Sequence, residues 1–392
     1  MPTENPITFN VPQGSFTLRR LPRRRKELLQ AWDAADSLLL EHLVDQPMDA
    51  AKLLVLNDAF GALTVALNSA YPDVNITAQS DSFLSQQATM ENLEANDGDS
   101  DAIQLIDSLA PLDGPYDLVL IKLPKTLALL EHELIQLRPH IRPDTRIIAA
   151  GMVKAIPESA WKLMERIIGP TRPSRAVRKA RMIFVQPHPE RPAPTNPYPV
   201  AYPLEGTDIT LINHANVFSR DSLDIGSRFM LEHLPETTGD REVIDLGCGN
   251  GVLGLMAARS NPLATIRFVD ESAMAVASAR ENFEAVFGES REASFIWGDG
   301  LATFADQSAD LVLCNPPFHQ QQAVGTQIAI RMFNQSRRVL RPGGELWVVG
   351  NRHLEYAKEL RRIFAKVEQV AANRKFVVLK AREVGSVGSH SG

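Results

Sequence analysis

The sequence predicts an α/β protein built as two tandem, doubly wound domains, each with a mostly parallel sheet. Three observations predict it. At 392 residues the chain exceeds what one ordinary hydrophobic core supports. Its halves repeat one order of segments at an interval of roughly 190 residues. Within each half, short apolar runs alternate with longer amphipathic stretches, and several runs are apolar on both faces, as in a parallel sheet covered by helices.

The repeat is read in five places. Residues 32–43, WDAADSLLLEHL, lie over residues 223–234, LDIGSRFMLEHL, and LLVLNDAFGAL from Leu53 lies over EVIDLGCGNGVLGL from Glu242. SDSFLSQQATMENLEA from Ser80 lies over DESAMAVASARENFEA from Asp270, DLVLIKLPK (117–125) over DLVLCNPPF (310–318), and RKARMIFV from Arg178 over NRKFVVLK from Asn373. In the second half VIDLG, GVLGLMAARS, IRFVDES and AMAVASARENFEAVF give a βαβα rhythm. The later GELWVVGN and NRKFVVLKA runs predict a closing antiparallel hairpin at one edge of the sheet.

Residues 187–203 hold seven prolines in seventeen positions, which excludes helix and central strand and predicts an extended, stiff connector. The expected domains are 1–186, the linker 187–203, a second copy over 204–382, and a loose tail over 383–392, which has too little apolar surface to offset ordering.

Composition excludes several classes. No apolar run approaches a membrane span, and MPTENPITFNVPQG lacks the pattern of a signal peptide, so a cytoplasmic protein without membrane association is expected. Cys248 and Cys314 have no metal-type spacing and the nine histidines form no cluster, so neither a metal nor a disulfide framework is expected, and no obligate protein partner is evident. The net charge of -6 argues against a uniformly basic nucleic-acid binder. Two stretches are nonetheless basic: RRLPRRRK (19–26), with Arg23, Arg24 and Arg25, and RPSRAVRKAR (172–181), with Arg175, Arg178 and Lys179.

The chemistry gathers in the second half. VIDLGCGNG is an apolar strand running into a glycine-rich turn, where Gly247 and Gly249 let the backbone pass close to a ligand. Dinucleotide sites use such turns too. Asp270 closes the next strand, where a carboxylate can accept from both hydroxyls of a ribose. Asp299, in IWGDG, closes a third, where it can accept from an adenine amino group. Three acids at successive strand ends, Asp245 included, suit a nucleoside without phosphates better than a pyrophosphate, although Asp also caps helices.

NPPF follows the fourth strand. The Asn315 amide oxygen and the Pro316 carbonyl, left free because prolines donate nothing, can accept both protons of one amino group while Phe318 stacks on a planar partner. Such acceptors localise the lone pair of a nitrogen that is otherwise conjugated, so that it can attack a strong electrophile.

In this order VIDLGCGNG, Asp270, Asp299 and NPPF resemble the class I methyltransferases that use S-adenosyl-L-methionine, in the branch acting on planar nitrogens. HANVFSRDSLDIGSRFMLEHLP from His214 and NPPFHQQ resemble the ribosomal RNA (guanine-N2)-methyltransferases, and LLVLNDAFGAL and LIKLPKTLALLE those acting on large-subunit RNA. The resemblance implies two Rossmann-like methyltransferase domains, the first inactive, and 23S ribosomal RNA as partner. It places Asp245, Gly247 and Gly249 at the methionine part of the cofactor, Asp270 at the ribose, Asp299 at the adenine, Asp224 and Gly226 closing the pocket, and Asn315, Pro316 and Phe318 at a guanine taken out of its stack.

Laid over the second copy, the first has lost these groups. Asp245 falls on Asn57, Asp270 on Ser80, and Asn315-Pro-Pro-Phe on Lys122-Leu-Pro-Lys, so cations at 122 and 125 are expected to repel a sulfonium. The first copy is left with binding, for which its two basic stretches suit RNA phosphates. The same chemistry on small-subunit RNA, methylation of a protein glutamine, and RNA binding without catalysis stay open.

Overall fold

The computed structural model describes residues 7–23, 27, 29–46, 50–236, 241–317 and 322–383. The chain divides into two compact units, Met1–Tyr198 and Pro199–Gly392. In the first, a hairpin of β1 (Ile7–Val11) and β2 (Gly14–Leu18) precedes α1 (Ala34–Val44). Then follow β3 (Lys52–Leu56), α2 (Ala62–Ala70), β4 (Asn75–Gln79), α3 (Phe83–Glu94), β5 (Ile103–Ile106), β6 (Leu118–Lys122), α4 (Leu127–Leu137), β7 (Arg146–Met152), α5 (Glu158–Ile167), β8 (Thr171–Pro173) and β9 (Ala180–Val185).

The second unit opens with a hairpin of β10 (Val200–Pro203) and β11 (Thr210–Asn213), followed by α6 (Ile225–Leu231). It continues with β12 (Arg241–Leu246), α7 (Val252–Ser260), β13 (Ala264–Asp270), α8 (Ala273–Phe287), β14 (Ala293–Trp297), β15 (Ala309–Cys314), α9 (Gln322–Val339), β16 (Leu340–Asn351), α10 (Tyr356–Ile363), β17 (Lys366–Ala372) and β18 (Phe376–Arg382).

Both large sheets have seven strands in the same order, β5-β4-β3-β6-β7-β9-β8 and β14-β13-β12-β15-β16-β18-β17. The first five strands of each pair in parallel, and the last two are joined on by antiparallel pairings. The GELWVVGN and NRKFVVLKA segments do pair, as β16 with β18, but the edge hairpin is β17 with β18. β17 is only partly buried and carries charge, so its apolar pattern is too weak to read in isolation.

Alternation along the central strands fills both faces. Val243, Leu311 and Leu313 pack with Phe268, Phe283 and Val252 on one side, while Ile244, Leu246, Val312 and Cys314 pack with Phe333, Leu340 and Tyr356 on the other. The chain order reverses between β12 and β15, whose carboxyl ends, Leu246 and Cys314, are register partners. At that point an open α/β sheet leaves a crevice for a ligand.

The proline-rich stretch is divided in its packing. Up to residue 198 it lies on the first unit, where Arg138 donates to the carbonyls of His188 and Arg191, Asn196 bonds His132 at 3.0 Å, and the Tyr198 hydroxyl donates to Glu131 at 2.9 Å. Residues 200–203 are already a strand of the second unit. Prolines lack donors, but their carbonyls and neighbouring side chains can still bind a helix surface.

Candidate active site

The turn after β12 rests on glycines for different reasons. Gly247, Gly249 and Gly251 have φ of 69°, 55° and 78°, in the left-handed region that glycine enters without strain. A Cβ at Gly251 would lie 2.8 Å from the Ala279 Cβ, and one at Gly254 would lie 2.5 Å from Phe268, so these two let α7 approach α8 and β13. A Cβ at Gly249 would meet nothing within 4 Å. Gly249 therefore borders open space rather than packed neighbours.

Asp270, at the end of β13, ties this turn down by accepting from the Gly249 N-H at 2.9 Å and the Ser272 N-H at 3.0 Å. The cap of α8 itself is Ser272, so Asp270 is not merely a helix cap. Asp245 lies beneath the turn, only 1% exposed, and accepts from the Gly254 N-H at 2.8 Å. Burial pushes its carboxyl up to about 8. Asp299 follows β14, and both its oxygens accept from the Arg331 guanidinium on α9. Arg331 escapes sequence reasoning because it stands more than thirty residues away on an otherwise ordinary helix.

Asn315 stands where β15 ends. Its amide nitrogen donates to Asp224 Oδ2 at 2.9 Å and to Ser227 Oγ at 2.8 Å. A carboxylate can only accept, so the nitrogen must face Asp224 and the amide oxygen is turned the other way. That oxygen is buried without a hydrogen-bond partner among the described residues. Asp224 caps α6, accepting also from the Ser227 N-H at 2.8 Å, and a Cβ at Gly226 would sit 2.9 Å from its Oδ2. Pro316 is buried beside Asn315, while Phe318 lies outside the described residues.

A network unread in the sequence steadies the turn from the other side. Asn250 donates to Asn213 Oδ1 at 2.9 Å and the Tyr202 hydroxyl at 3.1 Å, and Asn282 donates to the carbonyls of Asn250 and Ile212, each at 2.9 Å. The NHANVFSR segment is thus anchored, through Asn213 and a His214–Glu281 pair at 2.8 Å, to α8 and the glycine turn. Its asparagines were the available signal, but nothing local names their partners.

Register fixes what replaces these groups in the first unit. Leu53 pairs with Leu118 as Val243 pairs with Leu311, so Val55, not Asn57, stands at the position of Asp245. Asn57 corresponds to Gly247; it has φ of 63°, and its side chain donates to Glu133 at 2.9 Å and the Lys122 carbonyl at 3.3 Å, whereas a Cβ at Gly247 would meet Met332 at 3.2 Å. The buried carboxylate recurs from another position, since Asp58 accepts from Thr64 N-H at 2.8 Å and Thr64 stands where Gly254 does. Ser80 does take the place of Asp270, and Lys122 that of Asn315. Lys122 is no bare cation, however. It is largely buried and donates to Asp33 at 2.8 Å and Asp36 at 2.7 Å, so the repulsion expected from its charge is cancelled locally.

Of the basic residues, Arg23 is paired with Glu91 at 2.7 Å and Arg178 with Glu41 at 2.5 Å, while Arg24 and Arg25 lie outside the described residues. Arg175 and Lys179 are exposed, and among the described residues neither has an acidic side chain within ion-pair distance. Arg178 and Lys179 form the tip of the turn bridging Val177 and Ala180, with φ of 49° and 64°. Among the described residues, no group of His, Cys, Asp and Glu able to hold a metal occurs and no helix is long and apolar enough to cross a membrane.

A doubly wound sheet with an open glycine turn, acids on successive strands and an oriented Asn-Pro-Pro defines a class I methyltransferase dependent on S-adenosylmethionine. Residues 6–189 match the RLMG N-terminal domain and residues 208–380 the methyltransferase small domain. The chain belongs to the family of ribosomal RNA large subunit methyltransferase G. It is 52% identical over 374 residues to that enzyme of Pseudomonas paraeruginosa, covering 95% of this chain and 99% of the relative. To that of Stutzerimonas stutzeri it is 49% identical over 374 residues, covering 95% and 98%. The T. thermophilus 16S rRNA guanine N2 methyltransferase, solved with S-adenosylmethionine and guanosine, shares the fold at a TM-score of 0.76 and 23% identity, over 97% of this chain and 98% of that one.

Proposed function

We propose that the second unit transfers a methyl group from S-adenosylmethionine to the 2-amino group of one guanine in 23S ribosomal RNA, and that the first unit, a retired copy of the same domain, holds the RNA. One observation carries the reading: both amide protons of Asn315 are taken by Asp224 and Ser227, while its buried oxygen has no partner. A buried acceptor left unmade is costly unless a substrate donor completes it.

The cofactor supplies an electrophilic methyl on a sulfonium. The open backbone at Gly249 and the acids around it fit that group, because they offer acceptors for its hydroxyl and amino groups, while the Arg331 guanidinium beside them is held by Asp299. Asp245, Gly247 and Gly249 would face its methionine part, Asp270 the ribose and Asp299 the adenine, with Asp224 and Gly226 closing that side. Asn315 and the Pro316 carbonyl would draw the guanine amino protons out of the ring plane, and Phe318 would stack on the base. The attacking nitrogen then needs no strong base: once methylated it is a four-coordinate, acidic ammonium that loses one proton to water.

In the first unit a side chain, Asn57, replaces Gly247, and Lys122, paired with Asp33 and Asp36, replaces the acceptor of Asn315, which supports loss of cofactor binding there. Arg175 and Lys179, with Arg178 and the stretch at Arg23, Arg24 and Arg25, suit RNA phosphates, and a cytoplasmic location follows from the substrate. Label transfer from methyl-tritiated S-adenosylmethionine to purified 23S and 16S RNA tests the assignment, with label expected in 23S RNA at a guanine N2. Label confined to 16S RNA, or to protein, rejects it.

A further inference from the structure

The catalytic unit carries a cation cluster that the chemistry above leaves unused. β16 ends at Asn351, and Arg352 and His353 follow; Arg374 and Lys375 form the tip between β17 and β18. The two loops are tied together: the Arg352 N-H donates to the Lys375 carbonyl at 3.0 Å and its guanidinium to the Asn373 carbonyl at 3.1 Å. Asn373 Oδ1 accepts from the N-H groups of Lys375 at 2.9 Å and Phe376 at 2.7 Å, which fixes the tip. All four basic residues are exposed, and among the described residues none has a carboxylate within ion-pair distance. Nearby Glu355 is engaged by Lys358.

This cluster stands at the reacting end of the sheet. Phe376, which begins β18, lies 3.3 Å from where a Cβ of Gly226 would be, and Gly226 touches Asp224, the residue holding Asn315. Neither S-adenosylmethionine nor a guanine base carries a phosphate, so neither gives these cations a partner. A polynucleotide strand carries one anion per nucleotide. The corresponding backbone bond recurs in the first unit, where the Val153 N-H donates to the Lys179 carbonyl at 2.8 Å, but there the tip arginine, Arg178, is engaged by Glu41.

We propose that Arg352, His353, Arg374 and Lys375 form a phosphate-binding rim on the catalytic unit that grips the RNA strand flanking the target guanine. The inference rests on the RNA reading above and adds a contact surface to it. Such cations position the strand and carry no sequence information. An acidic protein would suit the charge equally, but the rim's place at the same end of the sheet as Asn315, which must receive a base, favours the strand that bears that base.

The test uses the full chain and 23S RNA lacking the modification, with filter binding across a salt series. Arg374→Gln/Lys375→Gln keeps every backbone bond of the tip; Arg352→Gln is added in a triple variant. The expected result is at least about tenfold weaker RNA binding near 0.1 M salt and a salt slope lower by about 0.7 to 0.9 for each cation removed, with the Kd for S-adenosylmethionine within twofold of wild type. Wild-type slope and affinity in both variants overturn the proposal, as does a parallel loss of cofactor affinity. Wild-type protein that neither binds nor methylates RNA instead rejects the reading on which it rests.

Discussion

Lys122 and Asn315 stand at the same register position of two like sheets, and each holds the same two positions on the helix beside it. Asn315 donates to Asp224 and Ser227, and Lys122 to Asp33 and Asp36. The difference lies in what remains. An amide keeps an acceptor to offer, whereas an ammonium has none. Two exchanges, Asn for Lys on the strand and Ser for Asp on the helix, thus turn an acceptor site into a closed ion pair while the scaffold stays.

If Ser227 orients the Asn315 amide, Ser227→Ala should act through one lost hydrogen bond of about 1 to 1.5 kcal/mol and lower kcat by about tenfold. Asn315→Ala should cost on the order of a hundredfold. Single-turnover rates at saturating cofactor measure both, and calorimetry should find the Kd for S-adenosylmethionine little changed. Wild-type turnover by Asn315→Ala contradicts the acceptor account.

The glycines of the turn should separate by their surroundings. Gly251→Ala collides with Ala279, so it should lower thermal stability by several degrees. Gly249→Ala meets no protein atom and should lose only about 1 kcal/mol to its left-handed backbone, yet weaken S-adenosylmethionine by tenfold or more. Equal stability losses with intact cofactor binding in both would place the ligand elsewhere.

Lys122→Met should leave Asp36, with its side chain 6% exposed, buried beside Asp33 without a cation. Removing one partner of a buried pair costs about 3 to 5 kcal/mol, and urea unfolding of the full chain should show that loss in the transition of the first unit. A variant as stable as wild type would mean that the carboxylates find other partners.

Burial pushes the Glu133 carboxyl up to about 8, above its ordinary value. The folded chain therefore keeps a proton that the unfolded chain releases above roughly pH 4.3, so this group costs stability as pH rises from there to about 8 and nothing further beyond. Glu133→Gln retains an acceptor for Asn57 and removes the titration. Its stability advantage over wild type should grow between pH 5 and 8 and then level off; an advantage independent of pH would show that Glu133 is already ionised in the fold.

The same burial bears on ligand binding in the second unit, where Asp245 is pushed up to about 8. A cation brought beside it favours the carboxylate. Affinity for S-adenosylmethionine should therefore rise with pH up to about 8 and then level, with proton release visible as a buffer-dependent calorimetric enthalpy. Asp245→Asn should abolish that dependence.

The sequence by itself determined the doubled α/β pattern, the glycine turn, the acids at strand ends and the contrast of Asn-Pro-Pro with Lys-Leu-Pro. These are local features, set by strand alternation, backbone freedom and residue chemistry over a few positions. Tertiary structure alone decided partners and equivalences: that Arg331 clamps Asp299, that Asp33 and Asp36 neutralise Lys122, that Asn57 faces Glu133, and that Val55 rather than Asn57 is the register equivalent of Asp245. The physical reason is that a buried charge or amide must be satisfied by whatever the packing of distant elements brings within hydrogen-bond reach. Asn315 shows both at once: its residue type was legible in the chain, but the direction of its free oxygen was set by Asp224 and Ser227, some ninety residues away.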